Sequence, residues 1–427
     1  MRVSQPLPIG TKIAEHISLV QLLTAIPLEN VKEALCKTDA NDERERDLPA
    51  KYMAYFVMSM SLYSHCSSRE IFHNLVETLK NIYGPLTELK IPVKSALTHA
   101  RQRLGVDPLK YLFQSTVKPI AVRGKTIGAF FKGLRKTGID GVQFNIQDSV
   151  ANAYAFARSQ THSGDGAYPF VRVVGLVELG TRVMFDYEMT PTRVKDDTVL
   201  PGTKKAKKEE KTKTKEISEI ELARKLLPRL TPDQICLGDR LFGNFSIAST
   251  IQNTGARFLL RIKGGTHLES EKVLEDGSYI SKLYNSNSPG RKEFIEVRVI
   301  DYTVKQGDKA EEIKLITNMM TCADATNMEL SELYHERWEF ENTNKEYKHE
   351  LNAYLDVLRS KTPELVEQEI VGIFLLHYAT RTIMHEAALR VGWDVDRLSF
   401  KHSISVIRRR APQAGDFPPR RSLRRHS

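Results

Sequence analysis

The sequence predicts an α/β protein, because two kinds of hydrophobic periodicity follow one another along the chain. Residues 1 to about 125 carry apolar side chains at three- and four-residue spacings, which is typical of helices. From about residue 136, apolar and polar residues alternate, as they do in half-buried strands. Helical spacing returns from Leu330 to about Arg390. This order predicts a helical N-terminal region followed by a sheet with helices around it.

Length and composition narrow the class of protein. A chain of 427 residues is long enough for two or three domains. Its 41% hydrophobic and 27% charged residues are ordinary for a globular protein and exclude wholesale disorder. The net charge of +10 makes polyanions candidate partners. No signal-peptide pattern and no membrane-spanning run is present, so we expect a cytoplasmic protein without a membrane partner.

The helical region contains a candidate DNA-binding motif. Ser67–Glu70 has the pattern of a capped helix start, and Gly105 ends a second predicted helix that begins at about residue 95. The second helix carries Arg101 and Arg103. Two helices joined by a turn, with basic residues on the second, predict a helix-turn-helix in which these arginines contact DNA. The alternative is a helical bundle with a solvated basic face.

The β-patterned region predicts five strands and a further β-rich stretch. Val142, Phe144 and Ile146 alternate with polar residues, and two apolar runs around Gly180-Thr181 predict a hairpin. β patterning continues at 294–300 and 313–317. The five predicted strands cover residues 142–146, 170–178, 182–187, 234–238 and 258–262.

Two segments are rich in basic residues. Lys204 to Lys215 holds seven lysines, which predicts a solvated loop, with direct DNA contact as the alternative. The C-terminal segment from 401 contains several arginine pairs and three prolines, which predicts a flexible tail able to touch phosphates. The four cysteines form no CxxC or Cys/His cluster, so no zinc site is predicted.

Two acidic residues lie at strand ends, where a site can form. Asp140 lies at the start of the first strand, and Asp239 directly follows the fourth. Asp148 is a second candidate for the first position. It has the same parity as Asp140 along an extended chain, so alternation does not separate the two.

A third acid belongs to a polar stripe on a predicted helix. At about 100° per residue, Tyr334, Arg337, Glu341 and Lys348 fall within about 60° of one another. An amphipathic helix would carry apolar groups on such a stripe. These groups suit a phosphodiester with a metal ion beside it. The alternative is a salt-bridged solvent face in which Lys345 pairs with Glu341.

Trp338 lies beside this stripe, and we predict that it is a core residue and does not stack on a base.

Three carboxylates on separate elements suit phosphodiester chemistry. Cleavage and strand transfer need an activated water or 3′ hydroxyl and a stabilised leaving oxygen, and two divalent ions about 4 Å apart provide both. Hard ions such as Mg²⁺ prefer carboxylate oxygens and keep several waters.

The spacing Tyr-x2-Arg-x3-Glu-x6-Lys, matched by Tyr334, Arg337, Glu341 and Lys348, resembles a motif of one enzyme family. That family is the DDE transposases of bacterial insertion sequences, of the insertion-sequence-four type. The resemblance covers roughly residues 15 to 410. Other stretches similar to the family are Ala100–Gly105, Ala167–Arg172, Leu176–Thr181 and Gly238-Asp239-Arg240.

The resemblance implies an RNase H-like mixed five-stranded sheet flanked by helices. It implies a helical N-terminal DNA-binding domain at 1–125 and a catalytic domain at 126–400, with a β-rich insertion at about 244–325. A basic C-terminal tail at 401–427 would follow. Asp140, rather than Asp148, would then be the first acid.

The resemblance also implies a function and a set of site residues. Asp140, Asp239 and Glu341 would be the catalytic and metal-holding DDE triad, with two Mg²⁺ ions that Mn²⁺ can replace. Tyr334, Arg337, Lys348 and Lys345 would contact DNA, with Arg101 and Arg103 as further contacts.

We therefore expect metal-dependent cut-and-paste transposition. The DNA partners would be the terminal inverted repeats and the target, bound by a dimer assembled on DNA in the bacterial nucleoid. The alternatives are an RNase H-like nuclease that does not join DNA and a non-catalytic DNA-binding descendant of a transposase.

Overall fold

The computed structural model describes residues 24–44, 47–83, 92–161, 164–190, 217–286, 288, 292–306, 309–351 and 356–410. Within these ranges a mixed sheet is flanked by helices, so the predicted fold class is confirmed. Three stretches with sequence predictions lie outside the described residues. They are residues 1–23 of the predicted helical region, the lysine-rich segment 204–215, and residues 411–427 of the basic tail.

Within the described residues five helices precede the sheet, as the N-terminal apolar spacing predicts. The capped start is confirmed, because Ser67 Oγ accepts the N–H of Glu70 at 3.3 Å and the Glu70 carboxylate accepts the N–H of Ser67 at 3.4 Å. Gly105 caps the fourth helix. The helices are α1 (Leu28–Lys37), α2 (Ala50–Leu62), α3 (Ser68–Tyr83), α4 (Lys94–Leu104) and α5 (Asp107–Thr116).

The centre of the sheet contains the five strands that the sequence predicts. They are β2 (Leu134–Asn145), β4 (Gly164–Glu178), β5 (Val183–Met189), β6 (Gln234–Gly238) and β7 (Arg257–Arg261). Their spatial order is β5-β4-β2-β6-β7. Strand β4 is antiparallel to β2 and β5, whereas β6 and β7 run parallel to β2. Two short strands lie beside them: β1 (Phe130–Phe131) pairs with β2, and β3 (Arg158–Thr161) pairs with β4.

Four further antiparallel strands extend the same sheet beyond β7 in the order β11-β10-β9-β8. The predicted start of this insertion, at about 244, is too early. The helix after residue 244 and β7 belong to the five-stranded unit, because β7 pairs in parallel with β6. The added strands are β8 (Lys272–Val273), β9 (Tyr279–Tyr284), β10 (Phe294–Gln306) and β11 (Lys309–Thr317).

In the part of the chain that the structure describes, seven more helices cover the sheet or follow the insertion. A π-helical turn, Glu346–Leu351, continues the fifth of them, and 3₁₀ turns lie at Leu227–Arg229 and Val395–Arg397. The helices are α6 (Val150–Ala155), α7 (Glu219–Leu226), α8 (Phe245–Asn253), α9 (Asn327–His335), α10 (Trp338–Lys345), α11 (Pro363–Val391) and α12 (Phe400–Arg410).

The predicted tail at 401–427 begins differently from the prediction, because its first residues form α12. Ile404, Val406 and Ile407 are buried in the main core, and apolar residues at helical spacing are the reason that this stretch packs.

The two faces of the sheet have separate hydrophobic cores. Ile139 of β2 packs in the core that contains Leu222 of α7 and Ile247 of α8. Val142 and Phe144 of the same strand pack in the larger core. Alternation along β2 therefore decides which helices each side chain meets.

The N-terminal helices share the larger core with α11. Gly372 lies against α2 so closely that a Cβ there would stand 2.8 Å from Val57 Cγ1 and 3.1 Å from the Val57 carbonyl oxygen. Gln368 Nε2 donates to the carbonyl oxygens of Arg101 and Gly105 at 2.9 and 2.7 Å. The helical region and the sheet region are thus packed together around one helix.

The connection between these regions is tied to β4. The carboxylate of Glu178 is fully buried and accepts the N–H groups of Ile120 and Ala121, both at 2.9 Å. It also accepts the Thr181 hydroxyl at 2.6 Å and pairs with Arg135. A buried carboxylate is retained only when such partners satisfy it, so this segment is fixed against the sheet.

Replacing Gly372 tests the shared core. Gly372→Val places branched atoms where Val57 already stands, so we expect a loss of about 1–3 kcal/mol in the free energy of unfolding. Thermal or denaturant unfolding measures it. Gly264→Val is the matched control, because nothing lies within 4 Å of a Cβ at Gly264. Equal stability of the two variants would contradict close packing of α2 on α11.

Candidate active site

The first two predicted acids are brought together by strand register. β2 and β6 pair in parallel, and the last registered pair is Ile139 with Gly238. Asp140 and Asp239 each directly follow a member of this pair in the chain, so their backbones lie side by side. Equivalent positions on neighbouring parallel strands point to the same face. Two residues 99 positions apart in sequence therefore become neighbours.

Asp140 carries the electrostatic mark of a crowded site. Burial raises its pKa from 3.8 to about 7, and the negative charges of Asp239 and Glu219 add to the rise. The Gly141 N–H, which donates to Asp140 Oδ1 at 2.8 Å, and Arg337 act in the opposite direction. Asp239 accepts the N–H of Leu241 at 2.8 Å.

Glu341 reaches the same strand through α10. Phe340 lies over Gly138, with Cδ2 3.1 Å from where a Cβ would be. Asn344 Nδ2 donates to the Gly141 carbonyl oxygen at 3.3 Å. These two contacts, four residues apart on one helical face, hold Glu341 over the part of β2 that carries Asp140.

Arg337 links the third acid to the first. Its Nη2 donates to Glu341 Oε1 at 2.9 Å, and its charge also acts on Asp140. The guanidinium lies over the rings of Tyr334 and Trp338, at 5.9 and 5.7 Å. Arg337 Nε and the Tyr334 hydroxyl are buried and make no hydrogen bond within the described part of the chain.

The motif is not the continuous helix that the sequence predicts. Helix α9 ends at His335, α10 starts at Trp338, and a π-helical turn begins at Glu346. The reason is packing: α9 rests on β10 of the insertion and α10 on β2, which one straight helix does not reach. Tyr334, Arg337 and Glu341 still meet, although the single stripe does not exist.

Trp338 was predicted to be a core residue, and this prediction is wrong. Its side chain is 54% exposed, because the break before α10 turns it outwards beside Arg337.

The two candidate DNA-contacting lysines are exposed. Lys345 is the last residue of α10. The alternative role for Lys345 was an ion pair with Glu341, but Glu341 pairs with Arg337. Lys348 lies on the π-helical turn and lines a cavity of about 450 Å³ together with Gln143, Asn145 and His349. The structure thus separates Lys348 from the Tyr334–Arg337 pair that shares its predicted stripe.

Asp148 is placed away from the two other acids. It follows the end of β2, is nearly half exposed, and pairs with Arg158. The register of β2 with β6, and not alternation, separates Asp140 from Asp148.

Arg101, predicted to contact DNA, is buried inside the protein. It donates to Gln368 Oε1 at 2.8 Å, Ser360 Oγ at 3.1 Å and the Leu365 carbonyl oxygen at 2.9 Å. Burial lowers its pKa. Its donors face α11 and the segment before it, so we correct that assignment to a structural one.

Arg103 lies at the surface, where it donates to the Leu48 carbonyl oxygen at 2.6 Å and lies 3.6 Å from Asp42.

Divalent ions suit the donor set. Asp140 and Asp239 offer hard oxygen donors whose mutual repulsion is part of the high pKa of Asp140, and a cation relieves it. In the described residues no three His, Cys, Asp or Glu side chains already form a metal-binding group. The acid pair therefore fits an ion that keeps waters and takes oxygens from the DNA.

Sequence reasoning missed a buried charge network behind the site. Glu346 accepts Arg381 Nε at 3.0 Å, lies 2.9 Å from His377 Nε2, and accepts Arg182 Nη1 at 3.3 Å. Although burial raises the pKa of Glu346, Arg381 and His377 hold it at about 2. The network fixes the π-helical turn that carries Lys348. His377 and Arg381, four residues apart just after the apolar run Val371–Leu376, were the available signal.

No helix in the described residues is long and apolar enough to cross a membrane.

Asp140→Asn tests the crowding of the acid pair. The raised pKa means that ionised Asp140 destabilises the folded protein, fully above about pH 7 and not below about pH 4. At pH 8 with EDTA we expect the variant to unfold at a higher temperature, because its free energy of unfolding is larger by at most about 4 kcal/mol, at 1.36 kcal/mol per pKa unit. The difference should vanish at pH 4. Asp148→Asn is the control, and equal curves for both variants would refute the crowding.

The comparisons with known proteins identify the family of the chain. Models described as insertion element 4 transposase N-terminal and transposase DDE domain match residues 16–114 and 133–378. The chain is 27% identical over 390 residues to the transposase InsG for insertion sequence element IS4 of Escherichia coli (strain K12), which covers 89% of this chain and 80% of that protein. It is 24% identical over 287 residues to the putative transposase InsZ of the same organism, over 67% and 79%.

Among solved structures, a piggyBac transposase synaptic complex with hairpin DNA, determined by cryo-EM, aligns with a TM-score of 0.41 and 11% identity. The alignment covers 96% of this chain and 84% of that one. The DDE-domain match by itself spans more than half of the 427 residues, and DDE transposases cleave and join DNA with divalent metal. The chain therefore belongs to the DDE transposases of the IS4 type.

Proposed function

We propose that this transposase moves an insertion sequence by cutting and pasting, with Asp140, Asp239 and Glu341 as its triad. The observation that carries the assignment is the parallel register of β2 and β6, which sets Asp140 beside Asp239. Helix α10 adds Glu341 through the contacts of Phe340 and Asn344 with the same strand.

Two Mg²⁺ ions, which Mn²⁺ can replace, would be held by the three carboxylates and by DNA oxygens. When bound, they supply activation of the attacking water or 3′ hydroxyl and stabilisation of the leaving oxygen. The chain contributes positioning: the strand register orients the aspartates, and the α10 contacts orient Glu341.

Tyr334 and Arg337 would bind phosphate oxygens near the cut end. The Tyr334 hydroxyl and the Arg337 Nε are donors whose hydrogen bonds the described residues do not supply, and the charge of Arg337 suits a phosphate. Because Arg337 also pairs with Glu341, a phosphate bound here would lie next to the third acid.

Specific DNA recognition would extend beyond this centre. Lys348, Lys345 and Arg103 are exposed cations suited to the DNA backbone. We propose that the terminal inverted repeats and the target are the DNA partners, and that two protomers, one at each end, assemble on DNA. The helical region at 1–125 would recognise the ends, the region at 126–400 would catalyse the reaction, and the nucleoid would be the place of action.

A plasmid assay tests the triad. A supercoiled plasmid carrying the element ends is incubated with protein and Mg²⁺ or Mn²⁺, and excised and joined products are separated. Asp239→Asn and Glu341→Gln should each lower product formation at least about a hundredfold, because each removes a charged metal ligand, while end binding in a mobility-shift assay persists.

Asp148→Asn is the control, because this acid is paired with Arg158 away from the site; it should keep near wild-type activity. Full activity of Asp239→Asn would refute the triad. Cleavage without joining by the wild type would identify a nuclease, and binding without cleavage would identify a non-catalytic descendant.

Salt dependence tests Lys348. Lys348→Ala should weaken DNA binding and reduce the slope of log affinity against log salt by about 1, because one phosphate contact is lost. Binding is measured by fluorescence anisotropy at salt concentrations from roughly 50 to 300 mM. Lys282→Ala, which removes an insertion lysine paired with Glu271, should leave the slope unchanged. Identical slopes for the two variants would remove Lys348 from the DNA contacts.

A further inference from the structure

We propose that Glu219 is a positioning residue of the active site, which strengthens divalent-cation binding at the Asp140–Asp239 pair from the opposite face of the sheet. The proposal rests on the proposed metal role of that pair. No motif in the sequence marks Glu219, which lies 20 residues before Asp239.

The first support is the close approach of Glu219 to Gly141. Glu219 is the first residue of α7, whose N-cap is Ser218. A Cβ built on Gly141 would stand 2.6 Å from Cδ and from Oε2 of Glu219, and 2.9 Å from Oε1. The carboxylate therefore occupies the space that any other side chain would need. Gly141 directly follows Asp140, so the charge lies against the backbone of the first acid.

The second support is the position of this contact in the sheet. Ile139 and Gly141 face the α7 side of β2, whereas Gly138 and Asp140 face α10. The pairing of β6 with β2 ends at Ile139. At Asp140 and Gly141 the adjoining edge of β2 is no longer bonded to β6, so charges above and below the sheet act on the same edge. The charges of Glu219 and Asp140 accordingly interact across this edge.

The third support is that Glu219 is held in place. Arg172 of β4 lies with Nε 3.3 Å from Glu219 Oε1, and its Nη1 donates to the Ile217 carbonyl oxygen at 3.2 Å. Arg172 thus contacts both the backbone just before α7 and the Glu219 carboxylate, and these two contacts orient the carboxylate. The result is an oriented carboxylate, only about a quarter exposed, with Oε2 against the backbone beside Asp140.

The chemistry that suits this arrangement is electrostatic attraction across the edge of the sheet. The fixed negative charge of Glu219 acts on Asp140 and adds to the negative potential at the Asp140–Asp239 pair, which favours a divalent cation there. Removing a group outside the first coordination sphere typically lowers metal affinity by roughly 10- to 100-fold. A competing explanation is that Glu219 only stabilises the N-terminus of α7 by its charge. That explanation predicts a change in stability and none in cation affinity.

Direct binding of Mn²⁺ to the full-length protein distinguishes these explanations. Isothermal titration calorimetry, without DNA, compares wild type with Glu219→Gln, Glu221→Gln and Asp239→Asn. We expect about tenfold weaker Mn²⁺ binding for Glu219→Gln. Glu221→Gln should bind as wild type, because it removes the same charge from an exposed position on the same helical turn, where Glu221 Oε2 caps Ser218.

The other outcomes overturn one proposal or the other. Wild-type affinity in Glu219→Gln with loss in Asp239→Asn would refute the role of Glu219 and leave the metal pair standing. Equal weakening by Glu219→Gln and Glu221→Gln would reduce the effect to net charge and would also refute it. Wild-type affinity in Asp239→Asn would refute the proposed metal pair itself.

A double-mutant cycle tests the geometry. Gly141→Ala should displace the Glu219 carboxylate and weaken Mn²⁺ binding, whereas in a Glu219→Ala background the same change should have little further effect. Additive effects would show that Gly141 and Glu219 act independently, which would contradict the proposal. Thermal unfolding of each variant confirms that the protein measured is folded.

Discussion

The parallel pairing of β2 with β6 is the constraint on which the site depends. It ends one residue before both aspartates, so the hydrogen-bonded ladder positions the backbones of Asp140 and Asp239, while their carboxylates lie beyond its last rung. Burial raises the pKa of Asp140 to about 7, and the neighbouring charges of Asp239 and Glu219 add to the rise. The fold thus holds two like charges together at a cost in stability, and ligand binding can recover that cost.

The surroundings of the site are organised around α11. This helix is buried along most of its length, and it takes α2 on one side at Gly372 and the π-helical turn on another through His377 and Arg381. Arg101 of α4 also contacts α11, because it donates hydrogen bonds to Gln368 and to the Leu365 carbonyl oxygen. The position of Lys348 therefore depends on contacts made by buried residues.

The fold could largely be read from the sequence, because hydrophobic periodicity is a local property; the proposed acids were read from motif spacing, which is local as well. The five strands and the capped start of α3 followed from alternation and capping residues. The break between α9 and α10 could not be read, since it arises from packing of the two helices on strands far apart in sequence. The exposure of Trp338 and the burial of Arg101 follow from the same long-range contacts. Glu219 was invisible for the corresponding reason: only the sheet brings it to Gly141.

The interlocking of α2 and α4 with α11 has a consequence for how such elements diversify. The N-terminal helices cannot be exchanged between two elements as an independent unit, because Val57 and Arg101 on one side are matched to Gly372 and Gln368 on the other. A chimera joined near residue 125 would combine two mismatched halves of one core. Substitutions on the exposed surfaces of these helices would leave the core intact, whereas the buried contacts between α2, α4 and α11 would be inherited as a unit.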